Sequence, residues 1–159
     1  MEYTFLYKRV AIMLSQTARY ALLAIVCLGT EKDRPMTVQR IAERTNAPTG
    51  YLSKVMQLLT KAGLVRSQRG LNGGFTLIHS PDDISLFDIV HAIDPIQFSK
   101  TCPLKVEKTC ASKGVDCSFL CPLLNRLNQI NQTVEDSCRA TNIGELVSYS
   151  NEVKAPCSS

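Results

Sequence analysis

Four cysteines crowd one short stretch of this 159-residue chain, in the pattern Cys102-x7-Cys110-x6-Cys117-x3-Cys121. A thiolate is a soft ligand, and three or four of them in one loop suit an iron–sulfur cluster. Closely placed thiols also suit a thiol–disulfide switch that needs no metal. Structural zinc fits less well, because tetrahedral zinc sites usually carry a Cys-x-x-Cys pair and none is present. Haem held through Cys102-Pro103 and Cys121-Pro122 is a remoter reading. The other three cysteines, Cys27, Cys138 and Cys157, carry no pattern. No secretory signal is visible in Met1–Val10 and no apolar run is long enough for a membrane span, so a soluble cytoplasmic protein is expected. In that compartment metal or redox chemistry explains the cysteines better than a disulfide framework does.

Catalysis finds no support. His79 and His91 stand apart with no ligand-spaced neighbour, so ordinary surface or half-buried roles are expected for both. No nucleophile sits with a base, and no carboxylate pair occupies an apolar context. Gly70, Gly73 and Gly74 do not form a phosphate loop, since they lie inside a hairpin and no Gly-Lys-Ser/Thr follows.

The elements that must carry these residues follow from apolar spacing. Ser15 or Thr17 can cap a first helix running to about Leu28, with Ala21, Leu22, Ile25 and Leu28 on its inner stripe and Gly29 as its stop. Cys27 lies inside that helix, which predicts core packing for it. Thr37 can cap a second helix striped by Val38, Ile41, Ala42 and Thr45. Asn46-Ala47-Pro48 breaks the chain before a third helix, Thr49–Lys61, striped by Leu52, Val55, Met56 and Leu59. Two short strands, Leu64–Ser67 and Phe75–Ile78, flank a glycine-rich turn with a basic tip. Ser85 and Asp88 form a capping box for a further helix, and Pro95 ends it. Ile96–Leu120 is polar and poorly periodic, so it reads as loop. Pro122 then opens a long helix to about Arg139, where Leu123, Leu127, Ile130 and Val134 make a coiled-coil-like seam. Asn142–Tyr149 reads as a short turn.

The expected fold is therefore mostly α: a winged helix-turn-helix with a two-stranded wing, plus a long C-terminal dimerisation helix. Its parts are an N-terminal extension (1–12), the winged helix (13–95), a cysteine-rich sensor loop (96–121), the dimerisation helix with its short terminal turn (122–149) and a tail (150–159).

Charge supports a polyanionic partner for the first half. Residues 1–80 hold 11 Lys/Arg and 4 Asp/Glu, a net of +7, whereas residues 81–159 hold 7 and 10, a net of −3. The third helix offers Thr49, Tyr51, Ser53, Lys54 and Gln57 on its polar side. Small and hydroxyl groups there suit phosphates, and Lys54 and Gln57 suit base edges in a major groove. Arg69, with Asn72 beside it at the wing tip, suits an adjacent narrow minor groove.

Six segments recur in order: Leu14-Ser15-x-x-x-Arg19-Tyr20-Ala21, Ile41-Ala42, Tyr51-Leu52, Gly63-Leu64-Val65, Arg69-Gly-x-x-Gly-Gly-Phe75-x-Leu77 and Asp88-Ile89-Val90. Together they resemble the Rrf-type family of winged-helix regulators, over about Met13 to Val147. The family includes an iron–sulfur cluster regulator, a nitric-oxide-sensing repressor and a cysteine-metabolism repressor. The resemblance implies a homodimer on double-stranded DNA with a palindromic operator, its long C-terminal helix crossing to the partner subunit. It also implies a three-cysteine loop holding a 2Fe–2S or 4Fe–4S cluster, with Cys102 as first ligand, Cys110 or Cys117 as second and Cys121 as third. This chain departs from the family in wider spacing and in the additional Cys117. Leu124 stands where the iron–sulfur regulator has a histidine ligand, and Arg19 where the nitric-oxide repressor has an acidic one. Cys117 is the substitute candidate for the fourth ligand. A metal-free thiol or cysteine-metabolism regulator of the same fold is the alternative.

Overall fold

A computed structural model describes residues 14–31, 34–70, 73–94 and 122–152. The chain divides into two units, residues 1–95 with 139–159, and residues 96–138.

The first unit begins with α1 (Gln16–Thr30), whose cap is Ser15: its hydroxyl accepts the Ala18 N–H at 3.0 Å. Its inner face is dense with small and branched residues, and Ala21, Ala24, Ile25 and Cys27 are fully buried. The helix does not stop at Gly29 as the sequence suggests. It continues to Thr30, whose hydroxyl donates back to the Cys27 carbonyl at 2.8 Å. The glycine has a packing reason instead, because a Cβ on it would lie 2.6 Å from Val147 Cγ2.

Thr37 caps α2 (Val38–Thr45) by accepting from the Arg40 N–H at 3.3 Å. Asn46 ends it in the left-handed region, φ 51° and ψ 38°, which short amide side chains tolerate better than most. The Ala47 N–H then donates to the Ala42 carbonyl, and α3 (Thr49–Lys61) starts after Pro48. The α3 stripe expected from spacing is the one buried: Leu52, Val55, Met56 and Leu59 are each at most 1% exposed.

Strand β1 (Val65–Gln68) pairs antiparallel with β2 (Gly74–Leu77), with Val65 opposite Leu77 and Gln68 opposite Gly74. Both strands are displaced by one residue toward the turn relative to expectation. On the other side of β2, Met36 and Phe75 exchange both backbone hydrogen bonds, at 3.0 and 2.8 Å, so the wing is stitched to the residue just before the α2 cap. Gly74 permits that approach, since a Cβ there would fall 2.7 Å from the Met36 carbonyl carbon.

After a 3-10 turn (Pro81–Asp83), α4 (Leu86–Ile93) carries the expected capping box: Ser85 Oγ accepts from the Asp88 N–H, and the Asp88 carboxylate accepts from the Ser85 N–H. Its buried residues are Phe87, Ile89 and Val90, while Leu86 and Ile93 are only half-buried.

The segment Asn142–Tyr149 is more than a turn. Asn142 Oδ1 accepts the Glu145 N–H, and α6 (Ile143–Glu152) follows. The Leu86 N–H donates to Thr141 O, and the Ile143 N–H donates to Ile84 O, both at 2.9 Å. Ile143 is fully buried, and Leu146 and Val147 pack on the core. The helix closes against α1, completing the core of the first unit.

In the second unit the described element is α5 (Pro122–Ala140), whose last two residues belong to the first unit. Leu123, Leu127 and Ile130 lie at helical spacing and are 41%, 37% and 52% exposed. Among the described residues no helix is long and apolar enough to cross a membrane.

Gly29→Ala separates propensity from packing. Helix propensity alone favours alanine by about 1 kcal/mol. Overpacking against the stiff, β-branched Val147 costs about 1–3 kcal/mol. Urea denaturation is expected to show net destabilisation, and a more stable variant would contradict the α1–α6 contact.

Candidate nucleic-acid interface

From Arg44 through Pro81 the chain contains no carboxylate, and this span holds the helix-turn-helix turn, all of α3 and the whole wing. The cations here are Arg44, Lys54, Lys61, Arg66 and Arg69. One of them is neutralised locally. Glu31, beyond the end of α1, faces both Arg44 at 2.8 Å and Arg40 at 3.3 Å. That pairing ties α2 to α1. Lys54, Lys61, Arg66 and Arg69 are exposed.

Burial of Leu52, Val55, Met56 and Leu59 turns the opposite face of α3 outward. Thr49, Lys54 and Gln57 are exposed on it, and Lys54 and Gln57 stand one turn apart. Ser53 is half-buried and its hydroxyl donates to the Thr49 carbonyl at 2.9 Å. The N-terminus of α3 has no side-chain cap, because its N-cap residue is Pro48. Its first N–H groups are thus left to solvent or to an anion.

Tyr51 is more constrained than the rest. Its hydroxyl shares a hydrogen bond with Thr17 Oγ1, and its ring meets Tyr20 edge-on with centroids 5.7 Å apart and planes at 68°. Thr17 and Tyr20 therefore fix the start of α3 against the start of α1. The sequence signal for this was their i, i+3 spacing on one face of α1. Arg69 is exposed at the end of the wing, and Asn72 lies outside the described residues.

Cys102, Cys110, Cys117 and Cys121 also lie outside the described residues, as does Cys157. Cys27 is buried in the core as expected. Burial pushes the Cys138 thiol above its ordinary pKa, which disfavours the thiolate needed for ligation or exchange. His79 and His91 border a cavity of about 520 Å³ together with Asp83 and Asp88. The Asp88 carboxylate is held by the Ser85 N–H and hydroxyl, and His91 stacks on Phe87 at 5.2 Å. Arg139 covers Phe87, 3.6 Å from its centroid. Among the described residues no three His, Cys, Asp or Glu side chains are grouped to hold a metal.

A winged helix whose helix-turn-helix turn, α3 and wing carry no carboxylate is the architecture of a DNA-binding regulator. Residues 14–149 match the family described as Rrf2, iron-dependent transcriptional regulator, and the chain belongs to that family. Its members are transcriptional regulators rather than enzymes. A candidate HTH-type transcriptional regulator of Aquifex aeolicus is 31% identical over 147 residues, covering 92% of this chain and 99% of that protein. IscR of Photobacterium profundum is 31% identical over 105 residues, 65% of this chain and 59% of that protein. Among solved structures, CymR of B. subtilis, titled the global cysteine regulator, aligns with TM-score 0.62 at 25% identity, over 86% of this chain and 96% of that one. T. potens IscR shares the fold with TM-score 0.62 at 24% identity, over 89% and 90%.

The Thr17–Tyr51 contact is testable on the isolated protein. Thr17→Val and Tyr51→Phe are each expected to cost about 0.5–1.5 kcal/mol in chemical denaturation. The double variant should cost clearly less than the sum, because both remove one bond. Full additivity would show that the two hydroxyls do not interact.

Proposed function

We propose that this regulator is a homodimer that reads a palindromic operator and responds to redox, iron–sulfur or nitric oxide status through an iron–sulfur cluster. The observation that carries the sensing half is the four-cysteine run ending at Cys121, directly before the first residue of α5. Cys102, Cys110 and Cys121, with Cys117 as fourth donor, are a soft, all-thiolate set that suits iron. Leu124 and Arg19 cannot supply the ligands that the resemblance would place there. A bound cluster would supply reactivity toward oxidant, nitric oxide or loss of iron. The exposed Leu123, Leu127 and Ile130 on α5 support self-association, since an apolar stripe at coiled-coil spacing is stabilised by burial against a second copy.

Anaerobically purified protein is expected to be brown and to contain iron and acid-labile sulfide in stoichiometric amounts. Replacing Cys102, Cys110 or Cys121 singly by alanine should abolish the colour. Retained colour in all three variants would contradict the ligand set. A colourless, iron-free protein that binds DNA fully would remove the cluster.

One observation favours a second reading, a metal-free thiol switch. The CymR of B. subtilis, titled a cysteine regulator, matches as well as the IscR structure does. Iron-free protein whose DNA affinity changes reversibly with oxidant would establish that reading in place of the cluster.

For the DNA surface, Thr49, Tyr51 and Ser53 are assigned to the backbone, Lys54 and Gln57 to base edges, and Arg69 with Asn72 to the wing contact. Gln57→Ala and Arg69→Ala are each expected to weaken operator binding. At the position that Gln57 reads, preference between bases should relax by about 1–3 kcal/mol, measured on single-substitution duplexes. Unchanged binding in both variants would place the reading surface elsewhere.

A further inference from the structure

We propose that Arg66 is a second DNA anchor on the wing, binding a backbone phosphate rather than a base. The proposal rests on the DNA-binding role of the helix-turn-helix and wing.

Three features of Arg66 lead to it. The first is charge. Arg66 lies within the span that contains no carboxylate, and among the described residues none forms an ion pair with it. Arg44, in the same span, is held by Glu31 at 2.8 Å. Among the described residues nothing therefore offsets the Arg66 charge.

The second is preorganisation. Arg66 Nε donates to Thr76 Oγ1 at 3.1 Å, across the pair that the strand register places directly opposite. Thr76 is itself only 6% exposed, so its hydroxyl is a fixed point. A guanidinium is a planar fork, and a bond at Nε restrains its plane while leaving the terminal amino groups as donors. Those are the groups that grip a phosphate bidentately. An exposed arginine without such a bond loses more side-chain entropy when it binds.

The third is position. β2 is flanked by β1 on one side and by the Met36 bridge on the other. β1 is therefore the rim strand of the wing, and Arg66, Ser67, Gln68 and Arg69 are exposed in succession along it toward the tip. A rim cation beside the wing tip meets the sugar–phosphate edge when the tip lies in a groove. It has no base edge to read, so its contribution is independent of sequence.

The test compares wild type, Arg66→Ala and Arg66→Lys by fluorescence anisotropy over a salt series. Two labelled duplexes serve as probes, one of mixed sequence and one recovered by selection from a random pool. Arg66→Ala is expected to weaken both by a similar factor. It should also reduce the slope of log K against log salt by about one, the signature of one lost phosphate contact. Arg66→Lys should keep the wild-type slope, because it keeps the charge. Thermal melts of each variant check that the wing remains folded. A merely structural role through Thr76 would lower the melting temperature and leave the slope unmoved. An unchanged slope in Arg66→Ala, or a loss confined to the selected duplex, overturns the phosphate assignment while the DNA-binding role stands. Failure of the wild-type protein to bind either duplex would overturn both.

Discussion

The burial of one stripe of α3 against α1 fixes which face of α3 is turned outward. Leu52, Val55, Met56 and Leu59 leave almost no surface to solvent, and they pack on the small-residue face of α1 around Ala21, Ala24 and Ile25. A helix has only one rotation about its axis that buries such a stripe. Once it is adopted, Lys54 and Gln57 have no choice but to face outward. The Thr17–Tyr51 bond and the Tyr20 ring contact then set where along α1 the helix begins. Rotation is fixed by apolar area and translation by a polar latch, two independent constraints on the same element.

Electrostatics adds a division of labour among the arginines. Glu31 gathers Arg40 and Arg44, so the basic side chains of α2 serve to hold α2 in place. With side-chain exposures of 13% for Arg44 and 11% for Glu31, this pair is screened less than a surface pair would be. Beyond Arg44 the chain is free of carboxylates until Asp82, so no acid within that span offsets the exposed cations of α3 and the wing. The overall asymmetry of the sequence is thus sharper in the fold than in the composition, because the acids of the first half lie outside the span from Arg44 to Pro81.

Much of this was visible in the sequence, and the exceptions have physical causes. The four apolar residues of α3 recur at helical spacing and nothing competes with them, so their burial followed directly. The Ser15, Thr37 and Ser85 caps are local chemistry and were equally readable. Gly29 misled, because a glycine near a helix end is ambiguous between a stop and a close contact. Only the position of Val147, more than a hundred residues away in the chain, decides it. The Asn142–Tyr149 segment misled for a related reason. Its own periodicity is short, and its helix is stabilised by packing Ile143, Leu146 and Val147 on a core built elsewhere. For the site, exposure of Lys54 and Gln57 was readable from the opposite stripe of α3, and that of Arg69 from its place beside the glycine-rich wing turn. The restraint on Tyr51 was not, since it depends on a contact with Thr17, 34 residues away in the chain.

That late-returning helix has a consequence for how the cysteine-bearing segment is attached. The first unit is discontinuous: its core is made by residues up to 95 and again by residues from 139. The return is not a loose end. The backbone bonds Leu86 to Thr141 and Ile143 to Ile84 extend the chain beside α4, Arg139 covers Phe87, and α6 closes over α1 opposite Gly29. Residues 96–138 are therefore joined at both ends to one folded body rather than trailing from it. The four cysteines lie within that doubly tethered stretch. The α4 and α6 contacts are what hold the returning chain to the winged-helix core.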